Sequence, residues 1–232
     1  MKPKKAILFD ASSLISLAMN GLLPVLEKLK QSFNGWFLIT NEVKFEIIEK
    51  PMKIRRFKLE GLMIQQLLDR GVLQMPGEIG LNLDDKIISK RTQDIMKDIN
   101  NLFIAKGKEV NIIDLGESSC LALSELLAEK KVSNVMAIDE RTTRVLIEKP
   151  ENLQDLLERK MHINVKPNRE FLDTLKRKQY KIIRSAELMY VAYKKQLFGI
   201  SDPRLLGAAL WAVRFKGCSI SDQEIKEIVK IG

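Results

Sequence analysis

The chain has 232 residues, enough for one elaborated α/β domain, and 45% of them are hydrophobic, enough to fill a sizeable core. Charged residues make up 30% without a low-complexity block, which excludes a mainly disordered chain. Lysine and arginine outnumber the acids by 39 to 30, and the formal charge of +9 makes a polyanion such as nucleic acid a natural, though generic, partner.

The opening MKPKKAILFD is basic but passes at once into a short apolar run and an acid, without the longer apolar stretch of a signal peptide. No apolar run approaches the roughly 18 residues needed to cross a bilayer. A cytoplasmic protein with no membrane association is therefore expected. Cys120 and Cys218 are too few for a disulfide framework or a zinc knuckle, and His162 is the only histidine. That argues against zinc and against a histidine-based nucleophilic triad, and His162 reads as a residue facing the sheet edge.

In chain order, the short apolar runs are Ala6 to Phe9, Trp36 to Ile39, Val110 to Ile113 and Val135 to Ile138. Each is too short for a core helix and is followed by a helical pattern, which predicts strands buried on both faces of a parallel sheet. Ser12 and Ser13 read as caps of the first helix, and Thr40 or Asn41 as the cap of the helix after the second strand. Between them, Pro51 and Glu109 bound two helical patterns, Arg55 to Arg70 and Asp84 to Lys106, separated by the Pro76-Gly77 turn. These read as a helical insertion, about 51–109, packed beside the sheet.

Beyond His162 the chain turns basic and helical, with Ser185 capping a helix through Gln196 and Ser221 capping a last one through Lys230. Leu188-Met189 and Leu205-Leu206 read as core or as dimer contact. The expected class is α/β: three layers, α/β/α, around a central parallel sheet, with a helical insertion and C-terminal helices. Residues 1–198 would form the main domain, and 199–232 a helical extension packed on it.

Acids stand at or soon after the carboxyl end of every expected strand, where ligands of open parallel sheets gather. Asp10 directly follows Phe9. Glu46 lies on the next helix with Val43 and Ile47 at helical spacing, hence on an apolar, inward face. Asp114 and Glu117 open the helix after the third run, and Asp139-Glu140 follow the fourth. Taken singly, each can be a turn residue, a helix cap or an ion-pair member. Together, carboxylates gathered at one sheet edge repel one another unless protons or a cation offset the charge. Oxygen ligands without histidine or cysteine select magnesium or manganese, and such an ion can polarise a phosphate and activate a water.

FDASSLISL around Asp10, ITNEVKFEII around Glu46, DLGESSCLALSELL around Glu117 and VMAIDERTTRVL around Asp139 together resemble, in order and spacing, the PIN-domain family. The resemblance implies a PIN-like nuclease domain over 1–198 and magnesium- or manganese-dependent endoribonuclease chemistry. Asp10, Glu46, Glu117 and Asp139 would be the catalytic metal ligands, with Ser12 helping to order the site and Asp114 and Glu140 competing for the matched positions. The family includes toxins of toxin and antitoxin pairs and enzymes of ribosomal RNA processing, so single-stranded RNA, an antitoxin protein and a second copy are the partners it implies.

Lys166 to Arg184 holds seven basic residues and two acids, with Phe171 and Tyr180 interleaved. This stretch, Lys176, Arg177 and Lys178 in particular, reads as an RNA-binding face or as a solvated helix with its aromatics in the core. Arg141 and Arg144, beside the last acid, contact phosphate or pair with Glu140 and Glu148. A non-catalytic PIN-like RNA-binding or assembly protein is the rival reading, favoured if Arg141, Arg144 or nearby lysines rather than a metal neutralise the acids. A DNA-directed nuclease is a second.

Overall fold

The computed structural model describes residues 5–168, 175 and 178–232. Lys176, Arg177 and Phe171 of the expected basic face lie outside these described residues. Numbered along the chain, β1 (Lys5–Phe9), β2 (Trp36–Leu38), β5 (Ser133–Ala137) and β7 (Ile182–Ile183) form an entirely parallel sheet in the order β2-β1-β5-β7. Ile7 pairs with Phe37 on one side and Val135 on the other. This central place explains the unbroken AILF run, since a strand with neighbours on both sides and helices above and below has no solvent face. Each fully buried Leu or Phe there contributes about 1.5–3 kcal/mol.

The intervening helices are α1 (Ala11–Met19), α2 (Leu23–Ser32), α3 (Asn41–Lys44), α4 (Lys58–Asp69), α5 (Asp85–Asn100), α6 (Leu115–Glu129), α7 (Arg141–Glu148) and α8 (Leu153–Met161). Helix α6 packs on β1, β5, α3 and α5, whereas α1 packs on α4. The protein is thus α/β with a parallel sheet flanked by helices, compatible with three layers. From β1 the chain goes to β2 on one side and then crosses to β5 on the other, so strand order reverses between β1 and β5. That reversal opens a crevice beyond their carboxyl ends, where Asp10 and Asp139 lie.

The expected third strand needs correction. Val110, Ile112 and Ile113 are buried, but the N–H groups of Ile112 and Ile113 go to Asn100 Oδ1 at 2.7 and 3.2 Å. A side chain at the end of α5 thus replaces a neighbouring strand, and the apolar run records burial alone. The sheet's fourth strand is the two-residue β7 instead. The helix expected to reach Lys106 also ends early, at Asn100. Phe103–Ala105 is strand β3, which pairs with β4 (Lys108–Glu109) and β6 (Lys166–Pro167) in a second, antiparallel sheet. Lys106 and Gly107, both at positive φ, make the tight two-residue turn that ends the helical pattern.

Three helices close the chain: α9 (Ser185–Lys194), α10 (Leu205–Phe215) and α11 (Asp222–Ile231). They are sewn to the rest by Asn20 Nδ2 on the Ala212 carbonyl at 3.1 Å and by the Ser219 N–H on the Asp139 carbonyl at 3.1 Å. Leu188, Met189 and Leu206 belong to the core. Ser221 caps α11 as expected, but Ser185 does not cap α9: it is the first helical residue, and its hydroxyl serves Asp139 instead. His162 adopts a left-handed conformation where α8 ends. Among the described residues, no helix is long and apolar enough to cross a membrane.

Candidate acidic centre

The β1 ladder extends one residue beyond the strand, the Asp10 N–H donating to the Ala137 carbonyl at 3.1 Å. Helix α1 begins at the very next residue, so Asp10 itself is the cap, which corrects the expectation that Ser12 or Ser13 would be. Asp10 Oδ2 accepts the Ser12 N–H at 3.1 Å and the Ser12 hydroxyl at 2.6 Å. The same hydroxyl oxygen accepts the Asp139 N–H at 3.1 Å. Ser12 therefore ties the end of β1 to the end of β5.

Thr40 caps α3, its hydroxyl accepting the Val43 N–H and lying 2.6 Å from the Ser119 hydroxyl of α6. The helix then widens into a π-helical turn, Phe45–Glu49, which carries Glu46; such turns recur at functional positions because they re-aim side chains. Val43 and Ile47 are buried as the spacing predicts. The Glu46 carboxylate lies on Gly116, where an added Cβ would stand 2.9 Å from Oε1 and 3.2 Å from Oε2. Gly116 is thus the absence of a side chain that lets Glu46 reach the first turn of α6.

Helix α6 opens with a reciprocal capping box. Asp114 Oδ1 accepts the Glu117 N–H and Glu117 Oε2 accepts the Asp114 N–H, each at 3.1 Å. Glu117 Oε1 takes a further hydrogen bond from the Thr143 hydroxyl of α7.

Electrostatics bind these residues into one group. Burial first, then the charges of Asp114 and Asp10, push Glu46 up to about 7. Burial likewise raises Glu117, against the Thr143 hydrogen bond and with repulsion from Asp10 and Asp114, to about 8. Asp10 is raised by burial, opposed by Ser12, with repulsion from Asp114. Beneath them, burial and the charges of Asp10, Glu117 and Glu46 push the Cys120 thiol upward. Asp10, Glu46, Asp114 and Glu117 therefore form one mutually repelling centre. As they stand, no three acidic, histidine or cysteine groups among the described residues are grouped so as to hold a metal ion.

Asp139 is linked to Asp10 through the Ser12 hydroxyl. Both its oxygens are engaged, Oδ1 with the Ser185 N–H at 2.8 Å and Oδ2 with the Ser185 hydroxyl at 2.6 Å. Burial raises its carboxyl even so. Glu140 caps α7 through the Thr143 N–H at 2.8 Å. Of the expected RNA contacts, Arg144 is spent on the Ser219 carbonyl and Glu148, and Lys178 on Glu125; Arg141 is exposed. Thr143 is the contributor that sequence reasoning missed, its only signal being a hydroxyl one turn after the last acid.

No family model, curated protein or solved structure matches this chain.

Proposed function

We propose that this protein is a magnesium- or manganese-dependent endoribonuclease of the PIN-domain type, acting as a toxin of a toxin and antitoxin pair or in RNA processing. The observation that supports this most is the centre formed by Asp10, Glu46, Asp114 and Glu117 on a chain of net charge +9. Uncompensated carboxylates at one sheet edge are costly, and Lys50 is the cation that lowers the Glu46 carboxyl. A divalent cation would relieve the repulsion.

The donor set fits such a cation in kind, since it offers hard carboxylate oxygens and neither imidazole nor an ionised thiol. Asp10, Glu46, Asp114 and Glu117 would hold it, and Asp139 would support them through the backbone link to Ser12. When bound, the ion would supply Lewis-acid polarisation of a phosphodiester and activation of the attacking water. The chain's own part is positional. Ser12 and Thr143 fix the Asp10 and Glu117 rotamers, and Gly116 admits Glu46 to the first turn of α6. The rival reading as a non-catalytic binding protein needs Arg141, Arg144 or nearby lysines paired with these acids; Arg144 is engaged elsewhere, while Lys50 acts on Glu46 without an ion pair among the described residues.

Cleavage of labelled single-stranded RNA with manganese tests the reading. Wild type should cut, and Asp10→Asn should not while melting as a folded protein; undiminished cation-dependent cutting by the variant would contradict it. A matched DNA oligonucleotide separates the RNA-directed from the DNA-directed enzyme, because the acids themselves do not read the 2′-hydroxyl.

A further inference from the structure

Most buried or paired cations of this protein already serve its own acids: Arg91 and Lys178 meet Glu125, Arg144 meets Glu148, Arg184 meets Glu187 and Glu224, and Arg214 meets Asp222. One stretch differs. After the π-helical turn that carries Glu46, the chain reads KPMKIRRFK, and Lys50, Lys53, Arg55, Arg56 and Lys58 are all exposed. None of the five is ion-paired among the described residues, and the nearby acid Glu49 is taken by Lys44. Five cations within nine residues, without an ion pair among the described residues, repel one another and are screened by water and dissolved anions.

The stretch is not a loose loop. It forms two successive 3-10 turns, Pro51–Lys53 and Arg55–Phe57, held by the Lys53, Ile54 and Phe57 N–H groups on the carbonyls three residues back. Both turns pack on α4, where Gly61 lets the helix approach Pro51, a Cβ at Gly61 standing 3.3 Å from the Pro51 Cβ. Arg56 lies over the Phe57 ring at 5.3 Å. At the other end the strip joins the acidic centre: Lys50 is the cation that acts on Glu46, and Phe45, beside Glu46, is 49% exposed. A half-exposed ring next in the chain to that carboxylate offers a face for a base.

We propose that Lys50–Lys58 with Phe45 is the track that carries a single-stranded polynucleotide into the acidic centre, the cations holding successive phosphates and Phe45 stacking a base next to Glu46. The ordered turns make a rigid, positively charged ramp whose low end is the reactive carboxylates. This rests on the nuclease reading for its polarity, but binding to the track needs neither cation nor cleavage.

The test therefore measures binding alone. Fluorescence anisotropy of a labelled single-stranded RNA oligonucleotide, in chelator, is recorded for the full chain across a salt series. Arg55→Ala with Arg56→Ala and Lys58→Ala should weaken binding at least about tenfold and flatten the salt slope by about two, the loss of roughly three phosphate contacts to a single strand. Phe45→Ala should cost about tenfold by itself with the salt slope unchanged. Removing three other exposed lysines, Lys216, Lys226 and Lys230, is the control. Equal loss in the control, unaltered binding by the triple variant, or binding of an acidic peptide but no oligonucleotide overturns the track. Normal track binding by a wild type that cuts nothing would overturn the nuclease reading and leave the track standing.

Discussion

The two carboxylate oxygens of Asp139 accept the N–H and the hydroxyl of Ser185, at 2.8 and 2.6 Å, across 46 residues of sequence. An acid that the sequence offers as a metal ligand thus holds the start of α9 and, through its own N–H, the Ser12 hydroxyl that restrains Asp10. Ser185→Ala removes one of the donors to a buried carboxylate and should cost about 1–3 kcal/mol in urea unfolding, with cation-dependent cutting reduced far less than by Asp10→Asn. Unchanged stability would show that the hydroxyl contributes nothing to the buried acid.

Gly116→Ala sets two effects against each other. Alanine is the better helix former by about 1 kcal/mol, but its Cβ would stand 2.9 Å from Glu46 Oε1, so the carboxylate must turn away. The melting temperature should hold or rise while cutting falls by on the order of tenfold to a hundredfold, since displaced reactive groups cost rate steeply. A stable variant with full activity would remove Glu46 from the chemistry.

Stability should depend on pH in an unusual direction. Glu46 and Glu117 sit at about 7 and about 8, above the ordinary 4.5, so the folded chain binds their protons more tightly than the unfolded chain does. Their contribution is full below pH 4.5 and is lost as pH rises through 7 to 8. Glu224 works in the opposite sense: burial would raise it, but the Ser221 N–H and Arg184 hold it at about 2, and its contribution fades as pH falls toward that value. In chelator the melting temperature should therefore drop between about pH 5.5 and about pH 8.5, and Glu117→Gln should flatten the drop. Manganese should bind more tightly at the alkaline end, because it competes with the same protons. A melting temperature that climbs over this range would contradict the raised carboxyls.

Much of this was legible in the sequence, for reasons that differ by residue. Ala6 to Phe9 announced a central strand because burial on both faces leaves no polar position, and Asp10 and Glu117 were legible because a strand end and a Gly-Glu helix start fix where a side chain emerges. Val110 to Ile113 carried the same apolar signal, but after Val110, whose N–H donates to the Phe103 carbonyl, Asn100 takes the N–H groups of Ile112 and Ile113, and periodicity cannot see a side chain supplied from elsewhere. The two residues of β7 are too few to show any period. Asp114 and Glu117 were a competing pair in sequence and prove to be one capping box, both members facing the same centre. The helix expected from Arg55 starts at Lys58, because i, i+3 spacing is shared by the 3-10 turn Arg55–Phe57 that precedes it.

The measurement that bears most directly on the central claim is an anomalous difference map from crystals soaked in manganese. A peak ligated by Asp10 with at least two of Glu46, Asp114 and Glu117 is the predicted result. Electron density showing those four acids still apart, with manganese absent or bound elsewhere on the molecule, would contradict it.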